Sequence, residues 1–237
     1  MNKQVRKLVS NLLVSIISIS SWELLTKQYG YLEGYKTYNS IQEQKEDADD
    51  TQAYLKEHKF DWIQVTGTAI NYPLMTASNN NYYLNHDFNG KSSIGGSIYY
   101  NANDVPYNGS NTVIYGHSMR DGSMFNNLHF FQKDTKIFND STLIIETKDG
   151  KTEYKPLGYY VTNDNFVYKD IDDLPVYEAI KVIEQNADYF IRGRNISTDS
   201  HIIALYTCDY SIEDGRLIVW YIKEWFNGKY SIINLQL

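Results

Sequence analysis

The chain holds a single cysteine, Cys208, so it can form no internal disulfide and no thiolate metal cluster. It has no His-Glu-x-x-His pair and no carboxylates at calcium-loop spacing, which leaves a transition metal or an EF-hand ion without ligands. A glycine-rich phosphate cradle is also missing, and Gly95-Gly96 reads only as a turn. Basic residues are outnumbered, 22 against 29 acids for a net charge of −7, and no basic stripe follows the first seven residues. Nucleic-acid binding is excluded on that ground, because phosphate contacts need clustered cations. Internal repeats and long low-complexity tracts are absent too. What is present is 42% hydrophobic content with 22 tyrosines, enough for a sizeable core and inclined to β-structure.

Lys3, Arg6 and Lys7 precede an uncharged run from Leu8 to Trp22. As a helix this run spans roughly 22 Å, short of the roughly 30 Å bilayer core. Extension through Leu24 and Leu25, with flanking Lys and Trp at the interfaces, makes it a membrane span with its N-terminus in the cytoplasm. Residues 1–25 are therefore read as a basic start and signal anchor. A cleaved signal and an ordinary buried helix are the alternatives, the former supported only by Ser18-Ile19-Ser20 in place of an Ala-x-Ala site. In an exported chain a leftover thiol is either reactive or a small buried hydrophobe.

Residues 26–59 read as a helical stalk or packing hairpin, weakened by Gly30 and Gly34. From residue 60 onward the pattern becomes one catalytic-size body of short β-prone runs. Strands are expected at Trp62–Thr66, Thr68–Tyr72, Ser97–Tyr100, Thr112–Tyr115, Leu143–Thr147, Thr152–Val161, His201–Thr207, Leu217–Ile222 and Tyr230–Asn234. Between them Pro175–Ile191 has a helical apolar period opened by proline. Many short strands with few helices predict a mainly β, closed or nearly closed barrel.

Cys208 ends the apolar run Ile202–Thr207, and Arg216 follows across Glu213-Asp214-Gly215. If the flanking strands pair, thiol and guanidinium meet at one hairpin mouth, a nucleophile beside an oxyanion clamp. A surface salt bridge from Arg216 to Glu213 or Asp214 is the bland alternative. The thiol needs a proton acceptor, and five histidines compete. His117 stands after a β-prone run and a glycine, at a rigid strand end reachable by substrate. His58 reads as solvated surface, His129 as a packed ring, and His86 and His201 as turn residues; local context does not exclude them.

Together these residues resemble the sortases, membrane-anchored cysteine transpeptidases of Gram-positive bacteria, and specifically class B. The resemblance rests on Leu205-Tyr206-Thr207-Cys208, Arg216 and Tyr115-Gly116-His117, with Asn71-Tyr72-Pro73, Tyr82 to Phe88 and Asp121 to Phe125 as further matches. It covers residue 50 to the end. Two positions depart from the family pattern, Ala204 where threonine is common and Tyr206 where small residues are familiar.

The resemblance implies an eight-stranded sortase-type β-barrel with an N-terminal helical region and peripheral helices, and no cofactor or metal. It implies Cys208 as nucleophile, His117 as general acid/base and Arg216 as oxyanion stabiliser. Asn80, Leu84, Tyr115, Thr162, Phe166 and Val167 match positions lining the peptide groove, and Tyr206 and Asp209 join them as neighbours of the thiol. The implied reaction cleaves a sorting motif of N-P-x-T-x or P-P-x-T-G type after threonine and joins the protein to a peptidoglycan amine. The implied partners are sorting-signal-bearing surface proteins, peptidoglycan and the membrane, with the catalytic domain extracellular. A secreted cell-wall cysteine peptidase and a membrane-tethered adhesion domain are the competing readings.

Overall fold

The computed structural model describes residues 2–102, 104, 110–163, 171 and 174–224. Helix α1, Lys3–Glu46, starts where the Asn2 side chain accepts from the Gln4 N–H. It runs unbroken across residue 25 and through Gly30 and Gly34 as far as Glu46. Its last third is anchored: Tyr38 and Ile41 are buried, the Tyr38 hydroxyl donates to the Gly96 carbonyl, and Lys45 pairs with Glu146. Leu8, Leu12, Trp22, Leu24 and Leu25 are all exposed. Helix α2, Thr51–His58, is capped by Asp50 and ends at Lys59 in the left-handed region.

Among the described residues nine strands follow: β1 Asp61–Val65, β2 Asn71–Thr76, β3 Ile98–Tyr100, β4 Asn111–Tyr115, β5 Leu143–Thr147, β6 Gly150–Thr162, β7 Tyr189–Phe190, β8 Ile202–Cys208 and β9 Arg216–Ile222. Eight of them pair in the order β5-β1-β2-β3-β4-β8-β9-β6, and β6 pairs back onto β5 to close the barrel. The two-residue β7 is an appendage on β6. Short helices α3, Phe130–Lys133, and α4, Thr135–Asp140, cross one end, while α5, Val176–Asn186, covers one flank.

Several boundaries differ from the sequence expectation. β2 starts at Asn71 because Thr68 is taken by a tight turn: its hydroxyl donates to Val65 O and accepts from Ile70 N, with Gly67 at φ 77°. Helix α5 stops at Asn186, since Tyr189 and Phe190 leave the helical period to pair with Tyr159 and Gly158. The Tyr230–Asn234 strand expectation lies outside the described residues.

The alternation of β8 and β9 explains why their sequences are apolar throughout. Ile203, Leu205, Leu217, Val219 and Tyr221 fill the barrel interior. Ile202, Ala204, Ile218, Trp220 and Ile222 pack on the outside beneath Val176, Ala179, Ile180 and Ile183 of α5. Both faces are buried, so neither strand has a polar side, and the thiol and guanidinium stand at the ends of strands packed on both faces.

His201, just before β8, is buried with its Nε2 3.0 Å from Thr112 Oγ1. Burial, helped by the charge of Lys223, lowers its pKa from 6.5 to about 4. The unfolded chain therefore binds this proton first as pH falls. The neutral ring's full contribution is present above pH 6.5 and is lost between 6.5 and about 4, amounting to about 3 kcal/mol. Denaturant titrations of His201→Gln should show a shallower loss of stability than wild type across that window; equal slopes would remove His201 from the acid response.

Candidate active site

Strand pairing assembles the site. Cys208, the last residue of β8, pairs directly with Arg216, the first of β9, and Arg216 pairs on its other side with Thr162, the last of β6. β4 runs parallel to β8 with Tyr115 opposite Tyr206, and the ladder ends where the Gly116 N–H donates to the Tyr206 carbonyl at 3.2 Å. His117 comes next. Thr162, Arg216, Cys208 and His117 thus occupy one rim of four adjacent strands, each about 4.8 Å from its neighbour. Laterally paired residues share a sheet face, so Tyr206, Cys208, Arg216 and Thr162 point to the outer side where α5 packs. Tyr115 lies there too, its ring edge-on to Tyr206 at 5.3 Å.

Two glycines make this rim possible. A Cβ at Gly116 would stand 2.6 Å from the buried ring of Phe125, so only glycine lets the chain cross it and deliver His117. At Gly215 a Cβ would meet the Asp209 carbonyl at 2.5 Å, closing the loop between nucleophile and arginine too tightly. On the His117 side the Phe125 N–H donates to the His117 carbonyl at 2.8 Å, and Met124 is held at φ 55°, a costly conformation for a side-chain-bearing residue.

Cys208, Arg216 and His117 are all half-buried, reachable yet framed. Arg216 does not pair with Glu213 or Asp214. Its Nη1 donates to the backbone carbonyls of Asp214 and Gly215 at 3.0 and 2.8 Å, leaving Nε and Nη2 without partners among the described residues. Those donors can take a substrate oxygen. His117 Nε2 lies 2.7 Å from the Leu84 carbonyl. A carbonyl only accepts, so Nε2 carries the hydrogen and the neutral ring keeps Nδ1 as its proton acceptor.

The other histidines are placed away from this rim or committed elsewhere. His58 and His86 each donate from Nδ1 to a local carbonyl, of Tyr54 and Tyr82, against the ring of that same tyrosine, and His201 is buried on Thr112. His129, read from sequence as a packed ring, lies between Ser118 and Asp209. Those three residues come from separate segments, so no local signal marks their meeting.

Among the expected groove residues, Tyr115, Tyr206 and Thr162 line the rim itself. Leu84 is exposed in the turn whose carbonyl holds His117. Asn80 is committed to the scaffold: its amide donates to Asn101 Oδ1, and its side-chain oxygen accepts from the Ala102 N–H, both at 2.7 Å. Asp209 is buried, its carboxylate held by Gln132 and Ser211 and away from the Cys208 face. Phe166 and Val167 lie outside the described residues.

A family model described as Sortase domain matches residues 63–222, the span of the barrel. Sortase B of Listeria monocytogenes is 29% identical over 197 residues, 80% of this chain and 78% of that protein. Among solved structures, sortase B from B. anthracis superposes with a TM-score of 0.70 at 26% identity, covering 82% of this chain and 97% of that one. Clostridium perfringens sortase B gives 0.66 at 26% identity, covering 72% and 98%.

Proposed function

Because this chain belongs to the sortase family, we propose that it is a class B cysteine transpeptidase whose reacting groups are Cys208, His117 and Arg216. The observation that carries the assignment is the direct cross-strand pairing of Cys208 with Arg216 beside the end of β4. The Cys208 thiolate attacks the carbonyl carbon that follows threonine in a sorting motif. As the C–N bond breaks, protonated His117 gives its proton to the departing amine, leaving a thioester on Sγ. A peptidoglycan amine then attacks the thioester and loses a proton to His117; the C–S bond breaks and the thiolate is restored beside the protonated ring. In both halves the free donors of Arg216 face the carbonyl oxygen as its charge develops.

The sorting motif is of N-P-x-T-x or P-P-x-T-G type, and its side chains lie across Tyr115, Tyr206 and Thr162, with Leu84 as a further wall. Residues 1–25 anchor the chain as a single span with the N-terminus inside. The supporting observation is the row of exposed apolar side chains on the N-terminal part of α1, a helix long and apolar enough to cross a bilayer. Residues 60–237 then form the extracellular catalytic unit.

Incubating the full chain in detergent with sorting peptides and candidate wall amines tests the reading. A joined product, with a thioester adduct on Cys208 by mass spectrometry, supports it. Cleavage without joining, at every amine tried, points to a peptidase instead, and an inert thiol to adhesion. Arg216→Ala should lower kcat by about 10²–10³, as loss of an oxyanion donor does. Arg216→Lys should recover little, because a lysine ammonium cannot hold the two loop carbonyls and a substrate oxygen from one planar fork. Near wild-type kcat in Arg216→Lys would reduce the role to that of a simple positive charge.

A further inference from the structure

Ser118 directly follows the proposed acid/base, Asp209 directly follows the proposed nucleophile, and one imidazole touches both. His129 Nε2 is 3.1 Å from Ser118 Oγ, and its Nδ1 is 3.4 Å from Asp209 Oδ2. Donor chemistry sets the direction of the chain. A carboxylate only accepts, so Nδ1 carries the hydrogen and Nε2 accepts from the Ser118 hydroxyl. Ser118 Oγ accepts in turn from Asn126 Nδ2 at 3.2 Å. Asp209 is an anchor at the far end, with Oδ2 accepting from Gln132 Nε2 at 2.9 Å and Oδ1 from the Ser211 N–H and hydroxyl. Burial pushes its carboxyl pKa up, but Gln132, Ser211 and His129 together outweigh that and hold it below the usual carboxylate range.

The arrangement has the connectivity of a Ser-His-Asp triad, yet Ser118 is only 5% exposed and its hydroxyl already both donates and accepts. A second nucleophile is therefore ruled out, and what remains is a mechanical link. Backbone pairing between β4 and β8 stops at Gly116, one residue before His117. Past that point, the first side-chain connection between the two segments is the one through His129.

We propose that His129 is a positioning residue, a clamp that ties the segment bearing His117 to the segment bearing Cys208 and so keeps thiol and imidazole at reacting distance. The proposal rests on the assignment of Cys208 and His117 as the reacting pair. Small misplacements of such pairs are costly, about 10²-fold for 1 Å, so a loosened clamp acts on the chemical step and leaves peptide binding alone.

The test is steady-state peptide-to-amine joining by the full chain in detergent, with His129→Ala, His129→Phe and His129→Asn beside Cys208→Ala. His129→Ala and His129→Phe, the latter keeping a ring without its hydrogen bonds, should each lower kcat about tenfold with KM within about twofold. His129→Asn, which can still donate toward Asp209, should recover most of the loss. Wild-type kcat in the Ala and Phe variants, a change confined to KM, or no recovery in Asn overturns the clamp. An active Cys208→Ala instead overturns the nucleophile assignment, so the two failures are distinguishable. Should the variants not fold, long-range proton–nitrogen NMR of the wild-type chain decides: a neutral His129 ring protonated at Nδ1 is expected, and protonation at Nε2 contradicts the clamp.

Discussion

Cys208→Ala should abolish joining and leave the barrel folded. In the proposed reaction the Cys208 sulfur is the protein atom that bonds to the acyl group, and no neighbouring group can replace it: Ser118 is buried, and Thr207 points into the barrel. The side chain is half-exposed at the end of β8, so its removal opens no core cavity and the melting temperature should stay within a few degrees of wild type. Activity should fall to background in an assay of peptide joined to amine, and the peptide adduct should vanish from intact-mass spectra. Residual joining above a tenth of wild type would show that acyl transfer does not pass through this sulfur.

His117→Ala should lower kcat by about 10²–10⁴, the range of a lost general acid/base. The informative companion is His117→Gln. Glutamine can still donate a hydrogen bond to the Leu84 carbonyl that now holds Nε2, so it keeps the turn in place, but it cannot accept and release a proton. If His117 transfers protons, Gln is as inactive as Ala. If its contribution is the link to Leu84, Gln restores activity. Rate measurements on both variants, with circular dichroism to show the barrel intact, separate these outcomes.

The parts legible in the sequence are those where local pattern and tertiary demand agree. β8 and β9 are apolar at successive positions because both their faces are buried, and that made His201–Thr207 and Leu217–Ile222 readable to within a residue at each end. Helix α5 was readable from its apolar stripe, though its end was not, because Phe190 fits the same period yet is claimed, with Tyr189, by β6. The start of β2 was displaced by a turn whose stability comes from one threonine hydroxyl. Gly30 and Gly34 weakened the helical reading there. Helix α1 runs through them, and its last third is fixed by packing that propensity does not record.

The site divides in the same way. Cys208 and Arg216 were legible as a pair because a hairpin joins them, and a hairpin is a local structure whose two strands announce themselves. The choice of His117 among five histidines drew on family resemblance, since an imidazole's partners are set by which strands lie side by side. The sequence alone determined which residue types are available for chemistry and that a thiol ends a rigid strand. Only the tertiary structure decided that β4 lies parallel to β8, that Leu84 holds His117 by Nε2, and that His129 bridges Ser118 and Asp209. Those contacts join segments far apart in the chain, and nothing in a residue's neighbours encodes a partner that arrives only when the barrel closes.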